Sequence, residues 1–147
     1  MYGKKGIRGG PKGKPAGNDN LEMARNYLRA LEQGETGTAL SRFFAPDVVL
    51  EEFPNRLTPL GKTRDLAAAL EGAEHSKKAM SQQKYKIKQE ITENGRVALE
   101  VEWVGTLAVT SGSIPAGGQR KAFLAVFLEF REEEIIRQRN YDCFDAW

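Results

Sequence analysis

The chain changes its hydrophobic period once, past its midpoint, and that change limits the folds open to it. From residue 85 onward Tyr85, Ile87, Gln89 and Ile91 alternate with Lys86, Lys88 and Glu90, the period of two that a half-buried strand requires. Asn94-Gly95 follows, a pair suited to the positive φ angles of a two-residue hairpin turn. Val97, Leu99, Val101, Trp103 and Leu107 then carry a partner strand. After a loop from Ser111 to Gly118, whose glycines read as turn residues, two more strands are expected over 120–131 and 135–144, turning at Glu132-Glu133-Glu134. A meander of long antiparallel strands needs other elements to cover one of its faces.

The first half supplies them as helices. Asp19 with Glu22 three residues on has the form of a capping box, and Leu21, Ala24, Leu28 and Leu31 recur at helical spacing before Gly34. A short second helix is expected through Ala39, Leu40, Phe43 and Phe44, ending at Pro46, with a strand over Val48-Val49-Leu50. Thr63 is the expected cap of a third helix that buries Leu66, Leu70, Ala73 and Met80 and leaves Arg64, Glu71 and Lys78 outside. The expected class is α+β, with three N-terminal helices packed on one face of a strongly curved, mainly antiparallel sheet.

Composition removes several kinds of chemistry. With 147 residues the chain suits a single domain. Cys143 is the one cysteine and His75 the one histidine, which excludes an internal disulfide, a cysteine zinc cluster and histidine-dependent nucleophilic catalysis unless His75 itself serves. No run of eighteen apolar residues occurs, so no membrane span is expected. Phosphate-loop, metal-ligand and nucleotide fingerprints are missing too, so neither a metal nor a cofactor is expected. Residues 1–17 hold Lys4, Lys5, Arg8, Lys12 and Lys14 without an acid, leaving 17 basic and 20 acidic residues in 18–147. This glycine-rich basic tail is expected to be disordered. Five cations could attract a polyanion, but the tail has one aromatic and no motif, so nucleic acid is not the expected partner. No apolar stretch follows Lys5, and a cytoplasmic location is expected.

Three segments carry a family resemblance: Leu40 to Leu50 (LSRFFAPDVVL), Glu52 to Gly61 (EFPNRLTPLG) and Ile135 to Trp147 (IIRQRNYDCFDAW). Their order and spacing over residues 20–147 resemble the nuclear-transport-factor-2-like superfamily, and the last two resemble its SnoaL-like branch in particular. The resemblance implies a cone-shaped α+β fold with a pocket between sheet and helices. Ketosteroid isomerases, limonene epoxide hydrolases and SnoaL-type polyketide cyclases share that cone with non-catalytic binding and dimerisation modules.

Parity along the last strand puts Gln138, Asn140, Asp142 and Phe144 on one face. The resemblance sets Asp142 where the isomerases carry a pocket-lining aromatic and near the strand-end acid of the cyclases. Among Trp103, Val126 and Phe144 such a carboxyl is expected to have a raised pKa and to exchange protons; alternatively it accepts hydrogen bonds from Asn140, Tyr27 or the backbone. Glu52 resembles in position the isomerase general base, but one of Glu51 and Glu52 must face outward, and a pairing with Arg56 or Lys62 is the alternative. Tyr27, seven residues before Gly34, matches the isomerase tyrosine that donates to an oxyanion; as a helix aromatic it also suits the core. Val126 stands where the isomerases carry a protonated aspartate and cannot donate, so steroid isomerisation in the narrow sense is not expected. The stretch AFLAVFLEF lacks the Asp and Arg of the epoxide hydrolase relay. Asn55 and Arg56 could hold a polar group at the mouth, or be ordinary turn residues. The resulting expectation is a cone that binds a small hydrophobic molecule. It acts as a cofactor-independent proton-transfer enzyme of isomerase or cyclase type on a carbonyl compound, or as a non-catalytic binding or dimerisation module, with a homodimer formed through the sheet.

Overall fold

A computed structural model describes residues 17–146. The basic tail, apart from Gly17, and Trp147 lie outside the described residues. The order of elements is α1 (Gly17–Glu32), α2 (Gly37–Ser41), β1 (Phe44–Glu52), β2 (Lys62–Arg64), α3 (Leu66–Ala79), β3 (Met80–Glu93), β4 (Arg96–Leu107), β5 (Gln119–Arg131) and β6 (Glu134–Phe144). The strands form one six-stranded open sheet in the order β2-β1-β6-β5-β4-β3. β1 and β6 run parallel, and the other neighbouring pairs are antiparallel.

The period of two survives in the structure. Val97, Leu99, Val101 and Trp103 on β4 and Ala122, Leu124, Val126 and Leu128 on β5 are buried, and they pack with Ala24, Tyr27 and Leu28 of α1 and with Phe43, Phe44 and Val48. Tyr27 is held by the rings of Phe43 at 5.7 Å and Phe44 at 5.3 Å. Pairing shifts register between Ile87 and Gln89 and between Glu129 and Phe130, and such irregularities bend a strand. Asn94 and Gly95 have φ of 46° and 75°, as the hairpin reading predicts. The next hairpin is tighter than predicted: Glu132 and Glu133 make the turn, with φ of 50° and 66°, and Glu134 already belongs to β6.

Several boundaries differ from expectation. α1 begins at Gly17, which puts Asp19 in its first turn instead of at the cap. Pro46 lies inside β1 and ends no helix; it falls in the register shift between Phe44 and Val49, where a missing N–H costs no ladder bond. Thr63 and Arg64 form the short strand β2, and Asp65 caps α3 by accepting from Ala68 N at 2.9 Å. α3 has no fully buried residue; Leu66, Leu70 and Ala73 pack on the core from its margin.

Away from the helices the sheet carries an aromatic cluster. Phe53 stacks on Tyr141 at 4.3 Å, Phe127 meets the same ring edge-on at 5.8 Å, and Phe123, Phe127 and Tyr141 are all exposed. Among the described residues no helix is long and apolar enough to cross a membrane.

Candidate functional site

A cavity of about 240 Å³ lies between α1, α3 and the sheet, bordered by Tyr27, Glu52, Arg64, Gln83, Gln138 and Asn140 among others. A larger hollow of about 450 Å³ flanks α1 beside Asn26, Arg29 and Arg42, and contains none of the predicted site residues.

The polar groups of β6 are linked in one direction. Tyr27 Oη donates to Gln138 Oε1 at 2.9 Å, and Gln138 Nε2 donates to Asn140 Oδ1 at 2.8 Å. The Asn140 side chain in turn hydrogen-bonds Asp142. Asp142 Oδ1 is buried without a hydrogen-bond partner. Asp142 pairs with Leu124, which continues through Val101 to Ile87 across the sheet. Burial against this apolar row, and then the charge of Glu52, push the Asp142 carboxyl up to about 6, against the opposing hydrogen bond from Asn140. Asp142 does not itself border the cavity; Asn140, which is bonded to it, and Glu52, whose charge it feels, both do.

The parallel pairing of β1 with β6 decides between the two glutamates. Glu52 stands beside Asn140, while Glu51 stands beside Arg139 and forms an ion pair with Arg137. Glu52 Oε2 is buried, lacks a hydrogen bond, and has Arg64 Nη2 at 4.0 Å. The Pro54–Gly61 loop turns the chain back into β2, where Lys62 is the cross-strand neighbour of Glu52 and Arg64, two residues on, brings its guanidinium to this oxygen. Gly61, at φ 69°, is the close-contact point of that loop: a Cβ there would lie 2.7 Å from the carbonyl oxygen of Glu52.

The remaining predicted residues have more restricted places. Tyr27 is buried, and burial pushes its phenol up to about 12 while the Gln138 hydrogen bond opposes the shift. Its proton is committed to Gln138, so it is no free donor to a ligand. Val126 is a core residue beneath Asn140 and does not reach the cavity. Trp103 and Phe144 meet edge-on at 6.0 Å and likewise do not border it. Asn55 is occupied by its own turn, accepting from the Leu57 and Thr58 amides at 2.9 and 3.0 Å and donating to Phe53 O. Asn55 and the exposed Arg56 lie off the cavity because that turn holds them outside it.

Gln83, Tyr85 and Arg64 border the cavity without having been predicted. Gln83 Oε1 accepts from Trp103 Nε1 at 3.1 Å and from Tyr85 Oη at 3.2 Å. Burial raises the Tyr85 phenol above its ordinary pKa. Extending the alternation of Tyr85 and Ile87 by two residues puts a glutamine on the buried face, a signal present in the sequence. Among the described residues no group of three or more His, Cys, Asp or Glu gathers to hold a metal.

Residues 24–138 match the sequence model of a SnoaL-like domain. No curated protein matches the chain in sequence. A proposed hydroxylase from Streptomyces galilaeus superposes with a TM-score of 0.72 at 16% identity, over 87% of this chain and 81% of that one. A proposed polyketide cyclase from Streptomyces antibioticus gives 0.71 at 16% identity, over 84% and 91%. A phenazine biosynthesis-related protein from Pseudomonas aeruginosa gives 0.66 at 16% identity, over 86% and 80%. At such identities the likeness is one of fold, a curved open sheet covered by a few helices.

Proposed function

The chain belongs to the SnoaL-like domain family, and from that membership we propose that its cavity binds a small, mainly apolar carbonyl compound on which Glu52 and Asp142 move a proton without a cofactor. The observation that carries this reading is the pair itself: two carboxylates from β1 and β6, each with a buried oxygen that lacks a hydrogen-bond partner. Polar groups left so in a native structure call for a role. Glu52 borders the cavity and is the oxygen a ligand would meet; Asp142, with its pKa near 6, is the acid behind it that changes charge close to neutral pH. A base in this position removes a proton from the carbon next to a carbonyl, the C–H electron pair becomes the C=C bond of an enolate, and the proton returns to another carbon. Tyr27 and Gln138, which also border the cavity, hold Asn140 in place through their hydrogen bonds. A panel of planar phenols, which mimic an enolate, followed by tryptophan fluorescence from about pH 5 to pH 9, tests the reading. Binding should follow pH in the wild type and lose that dependence in Asp142→Asn. If no phenol binds at any pH, the cavity is not an enolate site.

The outer aromatic cluster supports a second role, association with another copy of this chain. Phe53, Phe123, Phe127 and Tyr141 form a contiguous apolar face on the side of the sheet opposite the helices, a feature of interaction surfaces. Phe127→Glu should then yield a monomer of unchanged fold where the wild type sediments as a dimer. A monomeric wild type refutes the role.

A further inference from the structure

The carboxylate pair can take a proton, but a carbonyl also needs a donor for its oxygen, and the amides of β6 are turned toward Asp142. Gln83, across the cavity on β3, meets that need. An indole nitrogen donates and cannot accept, so the Gln83 atom 3.1 Å from Trp103 Nε1 has to be the amide oxygen. The Trp103 N–H therefore orients the glutamine amide. The Tyr85 hydroxyl donates to the same oxygen. With Oε1 engaged twice, Nε2 is the part of the side chain left to act as a donor. The side chain borders the cavity that Glu52 and Asn140 border from the other side.

Gly105 makes the arrangement possible. It is the cross-strand neighbour of Gln83, and the six-membered ring of the Trp103 indole lies over it: an added Cβ would stand 2.5 Å from Trp103 Cζ2. Any side chain at 105 displaces the indole, and with it the N–H that fixes the Gln83 amide.

We propose that Gln83 Nε2 binds the carbonyl oxygen of the substrate and the enolate oxygen formed from it, with Trp103 and Gly105 as positioning residues. The inference rests on the carbonyl reading of the cavity given above. It also narrows the substrate class to enolisable neutral ketones or esters, whose oxygen lies toward β3 while the acidic C–H lies toward Glu52. Deprotonation passes the proton to the Glu52 carboxylate and the C=O π pair to the oxygen held by Gln83; reprotonation at carbon reverses both, so no co-reactant is consumed. A neutral amide donor suits an oxygen that is neutral at rest and charged only as the proton leaves.

The test compares 4-nitrophenol, bound as its phenolate, with the neutral 4-nitroanisole, using wild type, Gln83→Glu and Gln83→Met. Gln83→Glu keeps an acceptor for Trp103 and removes the donors; Gln83→Met removes both without adding charge. Both variants should lose phenolate affinity by about tenfold or more while holding 4-nitroanisole within about twofold of wild type. Equal weakening of both ligands marks Gln83 as merely structural and overturns the proposal, as does unchanged phenolate binding. A wild type that binds the anisole but not the phenolate overturns Gln83 as an oxyanion donor and leaves an apolar ligand site. A wild type that binds neither overturns the carbonyl reading along with it.

Discussion

Asp142→Asn should make the protein more stable, and only on one side of a definite pH. The native carboxyl has a pKa of about 6 against 3.8 in an unfolded chain. An acid whose pKa is raised by folding leaves the native state holding more protons than the unfolded one, so stability falls as pH rises. The contribution is fully present below 3.8 and is lost by the time pH passes about 6. A shift of this size corresponds to about 3 kcal/mol, and solvent reaching the partly buried carboxyl reduces it to about 2 kcal/mol. Asparagine keeps an oxygen for the Asn140 hydrogen bond and carries no charge to desolvate. At pH 8 the variant should therefore unfold about 4–8 °C above wild type, and the gap should close near pH 4. Thermal unfolding followed by circular dichroism at the two pH values measures both. If the variant melts at or below wild type at pH 8, or if the gap is the same at pH 4, Asp142 is not a desolvated acid and the basis for proton exchange is gone.

Other substitutions examine the supports of the site. Tyr27→Phe leaves Gln138 Oε1 without its donor in a buried place and should cost about 1–2 kcal/mol in urea unfolding, with phenol affinity little changed because the hydroxyl faces Gln138 and not the ligand. Gly61→Ala should cost about 2 kcal/mol, since φ is 69° and the new Cβ meets the Glu52 carbonyl; ligand affinity should fall with it as Glu52 is displaced, a coupling that titration calorimetry reads directly. Glu133→Gly, at φ 66° in the β5–β6 turn, should raise stability by about 1 kcal/mol, measured by the same urea titration.

Much of this was written in the alternation of polar and apolar residues. Period two without a break places Gln138, Asn140 and Asp142 on one face of β6, and the Asn94-Gly95 turn fixes the β3–β4 hairpin, so local pattern sufficed there. Glu51 and Glu52 were not separable in the same way, because β1 contains a register shift between Phe44 and Val49 that breaks parity counting. β2 has three residues and no apolar member, hence no periodicity to detect. A loop asparagine that completes its own turn, as Asn55 does, and one that reaches a ligand look alike in sequence. Tyr27 borders the cavity, but the direction of its hydrogen bond depends on Gln138, more than a hundred residues away. Gln83 lies within reach of the same alternation, two residues before Tyr85 in β3.

The parallel pairing of β1 with β6 also bears on how the protein folds. Glu52 and Asp142 approach each other when the first strand closes against the last, the contact with the longest intervening chain in the sheet. Contacts of that separation carry a large loop-closure entropy and form late, after local hairpins such as β3–β4 and β5–β6. The share of the Asp142 penalty that comes from the Glu52 charge is then absent from the rate-limiting barrier to folding. Removing that share with Glu52→Gln should slow unfolding at neutral pH and leave the refolding rate nearly unchanged. The carboxylate pair thus sets the kinetic lifetime of the native state more than the speed at which that state is reached.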